Sequence, residues 1–480
     1  MARRLAESLA GLTLGCALAL LVPVSAAAGE LPRPVLSALE HRHLPAESLS
    51  VYVEKLGTGE PVVAWNEHAP RNPASVMKLV TTLAALDVLG PTYTWKTEVY
   101  VRGRVHEDTL DGDLLLKGYG DPYLVAERFW QIVRAVRRAG IRRITGDLLL
   151  DDSWFDVKDY DPGAFDNEPL RTYNVAPNAL MVNFKALRYT FEPDPAQATV
   201  NVSLFPEALE NLQVVNDLSL GGGRCGGYQR GITLTANENV DRVVFSGSFP
   251  SGCSSYSMYR TALGHNEFAY GMFRTMWHEL GGELDGGWKN VVEEKGEAPL
   301  ISFSSLPLAE VIAQVNKHSN NVMARQLLLT LAAEKYGPPG TVENGRKAIA
   351  EWARSRELDL EGLEVQNGAG LSRDARVTAH DVATLLRYAF QSPFMPEYMA
   401  SLSLPGLDGT LERRFANTSP IAGRGHMKTG SLDDVTALAG YLQARSGERY
   451  IVVSLQNYPG VHRGTGEEVQ HALLTWLYDR

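Results

Sequence analysis

Cysteine is scarce in this 480-residue chain: only Cys16, Cys225 and Cys253 occur. That excludes the disulfide-dense scaffolds of small secreted domains and any cysteine-rich zinc module. Basic charge is not in excess either, with 46 Lys and Arg against 56 Asp and Glu. A net charge of −10 argues against nucleic acid as a partner, because binding a phosphate backbone needs a basic surface. Past the N-terminus no run is long and apolar enough to span a bilayer. His41 and His43 in "EHRHL" have no third ligand cluster and read as an exposed helix end rather than a metal pair. "GYGDP" lacks the lysine and helix context of a phosphate loop. No cofactor or metal is therefore expected, and there are no internal repeats. What remains is ordinary globular material, 44% hydrophobic and 21% charged, enough for two to four domains.

The opening "MARRLAESLAGLTLGCALALLVPVSAAAGELPRP" places Arg3 and Arg4 before an apolar run that ends in the small residues Ser25 to Ala28. This is the pattern of a cleaved secretory signal over residues 1–28, so the mature protein is expected in the periplasm. Its removal leaves 44 basic against 55 acidic residues, a net charge of −11. Cys225 and Cys253 then form an even pair in an exported chain, a candidate disulfide. Two free thiols are the alternative, since spacing does not fix geometry. The last helical stretch, "GEEVQHALLTWLYDR", has acids on its polar face and reads as packed on a sheet, with membrane contact at most peripheral.

Along the chain, "SLSVYVEKL" and "PVVAWNE" joined by "GTGE" predict a hairpin. Val76, Leu79, Val80, Leu83, Leu86 and Leu89 recur at helical spacing until Gly90-Pro91, which predicts a helix with almost no polar face, hence buried. Residues 97–160 mix strand and helix patterns. Residues 181–261 alternate in short segments broken by Gly, Pro and Asn, the signature of a β-rich unit, with "GGGRCGG" read as a loop. Helices return from about 298. The end reads as a hairpin and a helix, "VTALAGYLQA", "YIVVSLQN" and "GEEVQHALLTWLYDR", as if both termini belonged to one α/β unit with material inserted between them.

Three short motifs carry chemistry. Ser75 and Lys78, at i and i+3, share one face at the start of the buried helix. A buried lysine loses its charge more readily, and a neutral amine beside a hydroxyl can act as a general base. This is the chain's one S-x-x-K; it is followed by its one S-x-N, Ser319-Asn320-Asn321, and its one K-T-G, Lys428-Thr429-Gly430. That ordered set is the pattern of penicillin-recognising serine acyl-transfer enzymes.

Ser319 lies 244 positions after Ser75, far more than a simple β-lactamase needs. With the three motifs, "GDLLLKGYGDP", "YNVAPNALMVN", "NGAGLSR" and "LDGTLERR", the chain resembles the low-molecular-mass class C penicillin-binding proteins, D-alanyl-D-alanine carboxypeptidases and endopeptidases, over roughly residues 35 to 478. The resemblance implies a multidomain α/β (α+β) fold with a discontinuous transpeptidase-like domain, an antiparallel sheet flanked by helices. That domain would comprise 29–96 and 298–480. Two inserted domains would follow it, an α/β one over 97–180 and 262–297 and an inner β-rich one over 181–261.

The resemblance also assigns roles. Ser75 would be the nucleophile and Lys78 its base. Ser319 would relay a proton to the leaving amine, and Asn321 would hold Lys78 and the substrate amide. Lys428 would keep Lys78 neutral and, with Thr429, attract the substrate carboxylate. Backbone N–H groups of Ser75 and Ser431 would form the oxyanion hole, and Gly430 would let a ligand lie close to the strand edge. From the first inserted domain, Asp151 and Phe155 in "LLLDDSWFD" are the expected contacts to a stem-peptide side chain, a turn with a core phenylalanine being the alternative. Peptidoglycan stem peptides and β-lactams are the implied partners; the oligomeric state is left open. Asn367 and Ala369 depart from the family's usual acidic residue and serine. A β-lactamase would need a glutamate-bearing deacylation loop that is not evident, and a non-catalytic binding protein would not need the motif residues intact.

Overall fold

The computed structural model describes residues 29–480 apart from 158, 207–208, 238, 293–297 and 416–418. The expected signal over 1–28, with its predicted cleavage site, lies outside the described residues.

The two ends of the chain build one sheet. Leu49–Lys55 pairs with Pro61–Trp65 on one side and, from Leu49↔Gln456 to Lys55↔Tyr450, with Arg449–Asn457 on the other. Val435–Gln443 and then Gly425–Leu432 complete five antiparallel strands, with Gly425–Leu432 at one edge. The inner strands are buried almost throughout because helices cover both faces. Leu438, Leu442 and Val452 face a core shared with Val35 and Leu39 of Arg33–His41 and with Leu473 and Leu474 of Thr465–Tyr478. Ala437, Ala439, Tyr441 and Ile451 point to the opposite core, alternating as strand side chains must. That second core holds Met77–Leu89, apolar all round because it is buried among sheet and helices, together with Leu308–Lys317, Asn321–Tyr336 and Ala379–Gln391.

Between these ends the chain forms a seven-stranded sheet around the antiparallel pair Lys96–His106 and Thr109–Gly118, closed at one edge by Ile301–Ser304. Helices Ala126–Arg138 and His265–Glu279 pack on it through Phe129, Ile132, Phe268 and Phe273. An inner β-rich unit contributes two three-stranded sheets, Ala186–Asp194 with Thr199–Phe205 and Tyr256–Thr261, and Gln213–Arg224 with Ile232–Ala236 and Arg242–Gly252. Its Tyr189, Phe191 and Phe245 belong to the same continuous core as those two helices, so the insertions share one interior. The architecture is the multidomain α/β one expected from the sequence.

The glycine cluster differs from expectation. Gly221 pairs with Pro250, and Arg224 with Gly252 after a bulge, so the glycines extend a strand parallel to Arg242–Gly252. Cys225 and Cys253 are joined at the ends of these two strands, with Cα atoms 4.7 Å apart.

Candidate active site

Ala74–Val76 is a single 3-10 turn feeding the helix Met77–Leu89. Ala74 sits at φ +46°, a left-handed conformation that side-chain-bearing residues seldom adopt. Such strain persists only where the surroundings impose it, and it gathers at active sites. Here Asn72 imposes it: its Oδ1 accepts from Ala74 N at 2.9 Å, its Nδ2 donates to Ser372 O at 2.8 Å, and its own N–H reaches Asn457 Oδ1 at 2.8 Å.

The first helical turn brings Lys78 onto the same side as Ser75, with its side chain wholly buried. Lys78 Nζ lies 2.8 Å from Ser75 Oγ, 2.7 Å from Asn321 Oδ1 and 2.6 Å from Ala369 O. Two of these partners are carbonyl oxygens, which only accept. A neutral amine has two N–H groups and one lone pair; with both N–H groups held by Asn321 and Ala369, the lone pair faces the Ser75 hydroxyl. Burial first, and then the charges of Lys428 and Arg325, hold Lys78 well below the ordinary lysine range. The arrangement can therefore take the serine proton.

Ser319, at φ +54°, precedes the helix Asn321–Tyr336, whose N-terminus is capped by Asn320 accepting from Met323 N at 3.1 Å. Lys428, buried on the edge strand, donates to Ser319 Oγ at 2.9 Å and to Thr429 O at 2.8 Å. Ser319 thus accepts from Lys428 and keeps its own hydrogen for another acceptor. Burial pulls Lys428 down to about 7. Thr429 Oγ1 donates to Thr410 Oγ1 at 2.7 Å, and Ser431 is exposed beyond it.

A Cβ at Gly430 would lie 2.5 Å from Pro73 O and 3.0 Å from Ser75 N, so the bare Cα lets the strand edge rest on the nucleophile turn.

The segment Asn367 to Gly370 sits inside the constellation. Asn367 Oδ1 accepts from Ala369 N at 3.0 Å, and Thr81 Oγ1 donates to Gly368 O at 2.7 Å. Because the contact to Lys78 comes from the backbone of Ala369, the departure at residue 369 leaves it intact. Sequence reasoning missed this carbonyl, and it missed Arg325. Arg325 lies one turn beyond Asn321, buried, donating to Tyr173 O at 3.1 Å and Val175 O at 2.8 Å with Tyr160 5.2 Å below its guanidinium. The one cation inside the apolar run "NVMARQLLLTLAA" was the available signal.

Ser75, Lys78, Ser319, Asn321, Lys428, Thr429 and Gly430 thus come together around two lysines. Asp151 and Phe155 do not join them. Asp151 is fully buried, 3.1 Å from Lys117 Nζ, and accepts from Ser153 N at 2.9 Å. Phe155 is buried against Ala179, Leu329 and Ala333. Both are buried, one in an ion pair and the other in an apolar cluster.

A serine beside a buried lysine, a second serine held by an edge-strand lysine, and a long insertion between them define the class of penicillin-recognising serine acyl-transfer enzymes. The chain belongs to the D-Ala-D-Ala carboxypeptidase 3 (S13) family, whose model it matches over residues 33–479. It is a low-molecular-mass class C penicillin-binding protein, a serine-type D,D-peptidase. It is 29% identical over 438 residues to the D-alanyl-D-alanine carboxypeptidase of Actinomadura sp. strain R39, covering 87% of this chain and 79% of that protein. The crystal structure of penicillin binding protein 4 (dacB) from Haemophilus influenzae superposes with a TM-score of 0.79 at 22% identity, over 93% of this chain and 99% of that one. The penicillin G-acylated predatory endopeptidase Bd3459 of Bdellovibrio bacteriovorus, in complex with immunity protein Bd3460, gives 0.50 at 16% identity over 89% and 92%. Among the described residues no helix is long and apolar enough to cross a membrane.

Proposed function

We propose that the protein is a periplasmic, exported D,D-peptidase that cleaves terminal D-Ala-D-Ala or D,D cross-links of peptidoglycan stem peptides through an acyl-enzyme on Ser75. The observation that carries this reading is the fixing of both Lys78 N–H groups by Asn321 and Ala369, which leaves the amine's lone pair on Ser75. Ser75 Oγ attacks the D-Ala carbonyl as its proton passes to Lys78. The negative oxygen of the tetrahedral intermediate takes hydrogen bonds from the backbone N–H groups of Ser75 and Ser431. Ser319 relays that proton from Lys78 to the departing amine as the C–N bond breaks, which leaves Lys78 neutral again. Lys428 and Thr429 hold the substrate carboxylate. Water, deprotonated by Lys78, then hydrolyses the ester and restores Ser75. A β-lactam would acylate Ser75 in the same way, but its amine stays tethered in the site and the ester persists.

The division into a catalytic unit (29–96 and 298–480), an inserted α/β unit (97–180 and 262–297) and an inner β-rich unit (181–261) belongs to the same reading. It is supported by their separate sheets, except that Ile301–Ser304 pairs into the seven-stranded sheet of the inserted α/β unit.

Intact mass after incubation with benzylpenicillin, for the mature protein and Ser75→Ala, tests the proposal. A single stable adduct on the wild type, mapped to the Ser75 peptide and absent from the variant, is expected. No adduct with the antibiotic left intact would overturn it in favour of a binding protein, and rapid antibiotic turnover would point to a β-lactamase.

A further inference from the structure

A cavity of about 400 Å³, within the range of ligand sites, opens beside Ser319 and Asn321 on the side toward the inner β-rich unit. Its far wall is a row across three strands. Arg188 stands directly opposite Tyr259 on one neighbouring strand and opposite Phe205 on the other, so the three side chains share one face. The guanidinium lies 5.1 Å from the Phe205 ring, and among the described residues no carboxylate pairs with it. Tyr259, Phe205 and Tyr173 are 54%, 46% and 39% exposed, so three of the chain's exposed large rings gather at one opening.

The floor is strained. Asn183, Phe184 and Lys185 occupy φ +47°, +54° and +50° in succession, a left-handed run of three residues that each bear a side chain. They are pinned there by Asn183 N on Leu124 O at 2.8 Å, Asn183 Nδ2 on Ala186 O at 2.9 Å and Lys185 Nζ on Leu263 O at 2.8 Å. Such strain needs this much support, and it places Phe184 in the cavity lining. Across Phe205 a second, apolar cavity of about 460 Å³ continues between Trp130 and Met272.

Resting on the proposed reaction, Ser319 marks the side from which the amine departs. A free D-Ala needs little room there, whereas the arm released from a D,D cross-link is a peptide that carries carboxylates. We propose that the Tyr259–Arg188–Phe205 row, with Tyr173 and Phe184, binds the carboxylate-bearing peptide arm on the leaving side of the scissile bond, favouring cross-linked substrate over single stem peptides. The guanidinium takes a carboxylate, and the exposed rings take the arm's apolar stretches.

The experiment compares kcat/KM on a D,D cross-linked stem-peptide dimer with that on the same dimer amidated at the leaving arm's carboxylates other than the one beside the scissile bond, which Lys428 and Thr429 hold. Wild type, Arg188→Ala and Arg188→Lys are used, each normalised to its own rate of benzylpenicillin acylation. One charge-assisted contact predicts a fall of about tenfold in normalised efficiency for Arg188→Ala on the free-acid dimer, mainly through KM. Amidation should cost the wild type the same factor and Arg188→Ala nothing, with Arg188→Lys in between. An unchanged ratio for Arg188→Ala, or an equal loss on both dimers, overturns the subsite. A wild type that neither forms the penicillin adduct nor cuts any D,D-peptide overturns the Ser75 reading itself, and the subsite with it.

Discussion

Replacing Gly430 by alanine adds one methyl group where the edge strand rests on the nucleophile turn. That Cβ would stand 2.5 Å from Pro73 O, 3.0 Å from Ser75 N and 3.1 Å from Ala74 Cβ, and two of these atoms are backbone. Ordinary contact begins near 3.4 Å, so strand and turn must part by about 0.9 Å at Pro73 and about 0.4 Å at Ser75. The turn is not free to yield. Asn72 ties it to Asn457 and Ser372, and Gly370 packs so closely that a Cβ there would lie 1.9 Å from Ala74 O. The edge strand must therefore move outward, drawing the Ser431 N–H from the Ser75 N–H and Lys428 from Ser319. Overpacking of this kind costs about 1–3 kcal/mol of stability. A misplacement approaching 1 Å costs about 100-fold in rate, or roughly 2.7 kcal/mol of barrier. Stopped-time intact mass should show benzylpenicillin acylation of Gly430→Ala slowed about 100-fold, with a thermal midpoint a few degrees lower. A folded variant that acylates within about threefold of wild type would refute the claim that this glycine sets the distance between strand and nucleophile.

Two further outcomes follow from the cations around Lys78. Arg325→Met removes a positive charge that holds Lys78 down, so the lysine's pKa should rise and less of it be neutral at a given pH. The rising limb of acylation against pH should move to higher pH, while Arg325→Lys, which keeps the charge, should lie closer to wild type; coincident profiles for Arg325→Met and wild type would remove Arg325 from the base's environment. Lys428, at about 7 in the free protein, is charged below that pH and neutral above it. The second-order rate with benzylpenicillin should therefore fall as pH rises through about 7; a profile flat from about pH 6 to 9 would contradict this.

Much of the fold could be read because local pattern and partner coincide. The runs around Leu49–Lys55 and Arg449–Asn457 end in turns and pair with their sequence neighbours, so hairpin signals suffice. The parallel pairing of Gln213–Arg224 with Arg242–Gly252 has no such signal, since nothing local names a partner beyond an intervening strand, and glycine suggested a loop. In the site, side-chain motifs were legible and backbone contributions were not. Ala369 acts through a carbonyl that any residue possesses, so no residue type announces it. "LLLDDSWFD" offers two adjacent aspartates, and sequence alone does not say which turns inward. Asp151 pairs with Lys117, while Asp152 Oδ2 accepts from Asn178 at 2.7 Å and Asn266 at 3.1 Å.

The chain is acidic overall, yet its site gathers Lys78, Lys428 and Arg325, all buried. Three charged cations in one buried site would repel strongly, and the low position of both lysines is how the unliganded site avoids this. A substrate carboxylate changes the balance. Placed beside Lys428 it favours that lysine's charged form, and a charged Lys428 pushes Lys78 further toward neutrality. The inserted segment takes part in the same balance, because Tyr173 O accepts from Arg325 at 3.1 Å and from Asn321 Nδ2 at 3.4 Å. It thereby fixes both the third cation and the residue whose Oδ1 orients the base. On this reading the ligand that Ser75 must attack also poises the amine that activates it, and a molecule without the carboxylate gains neither the grip nor the base.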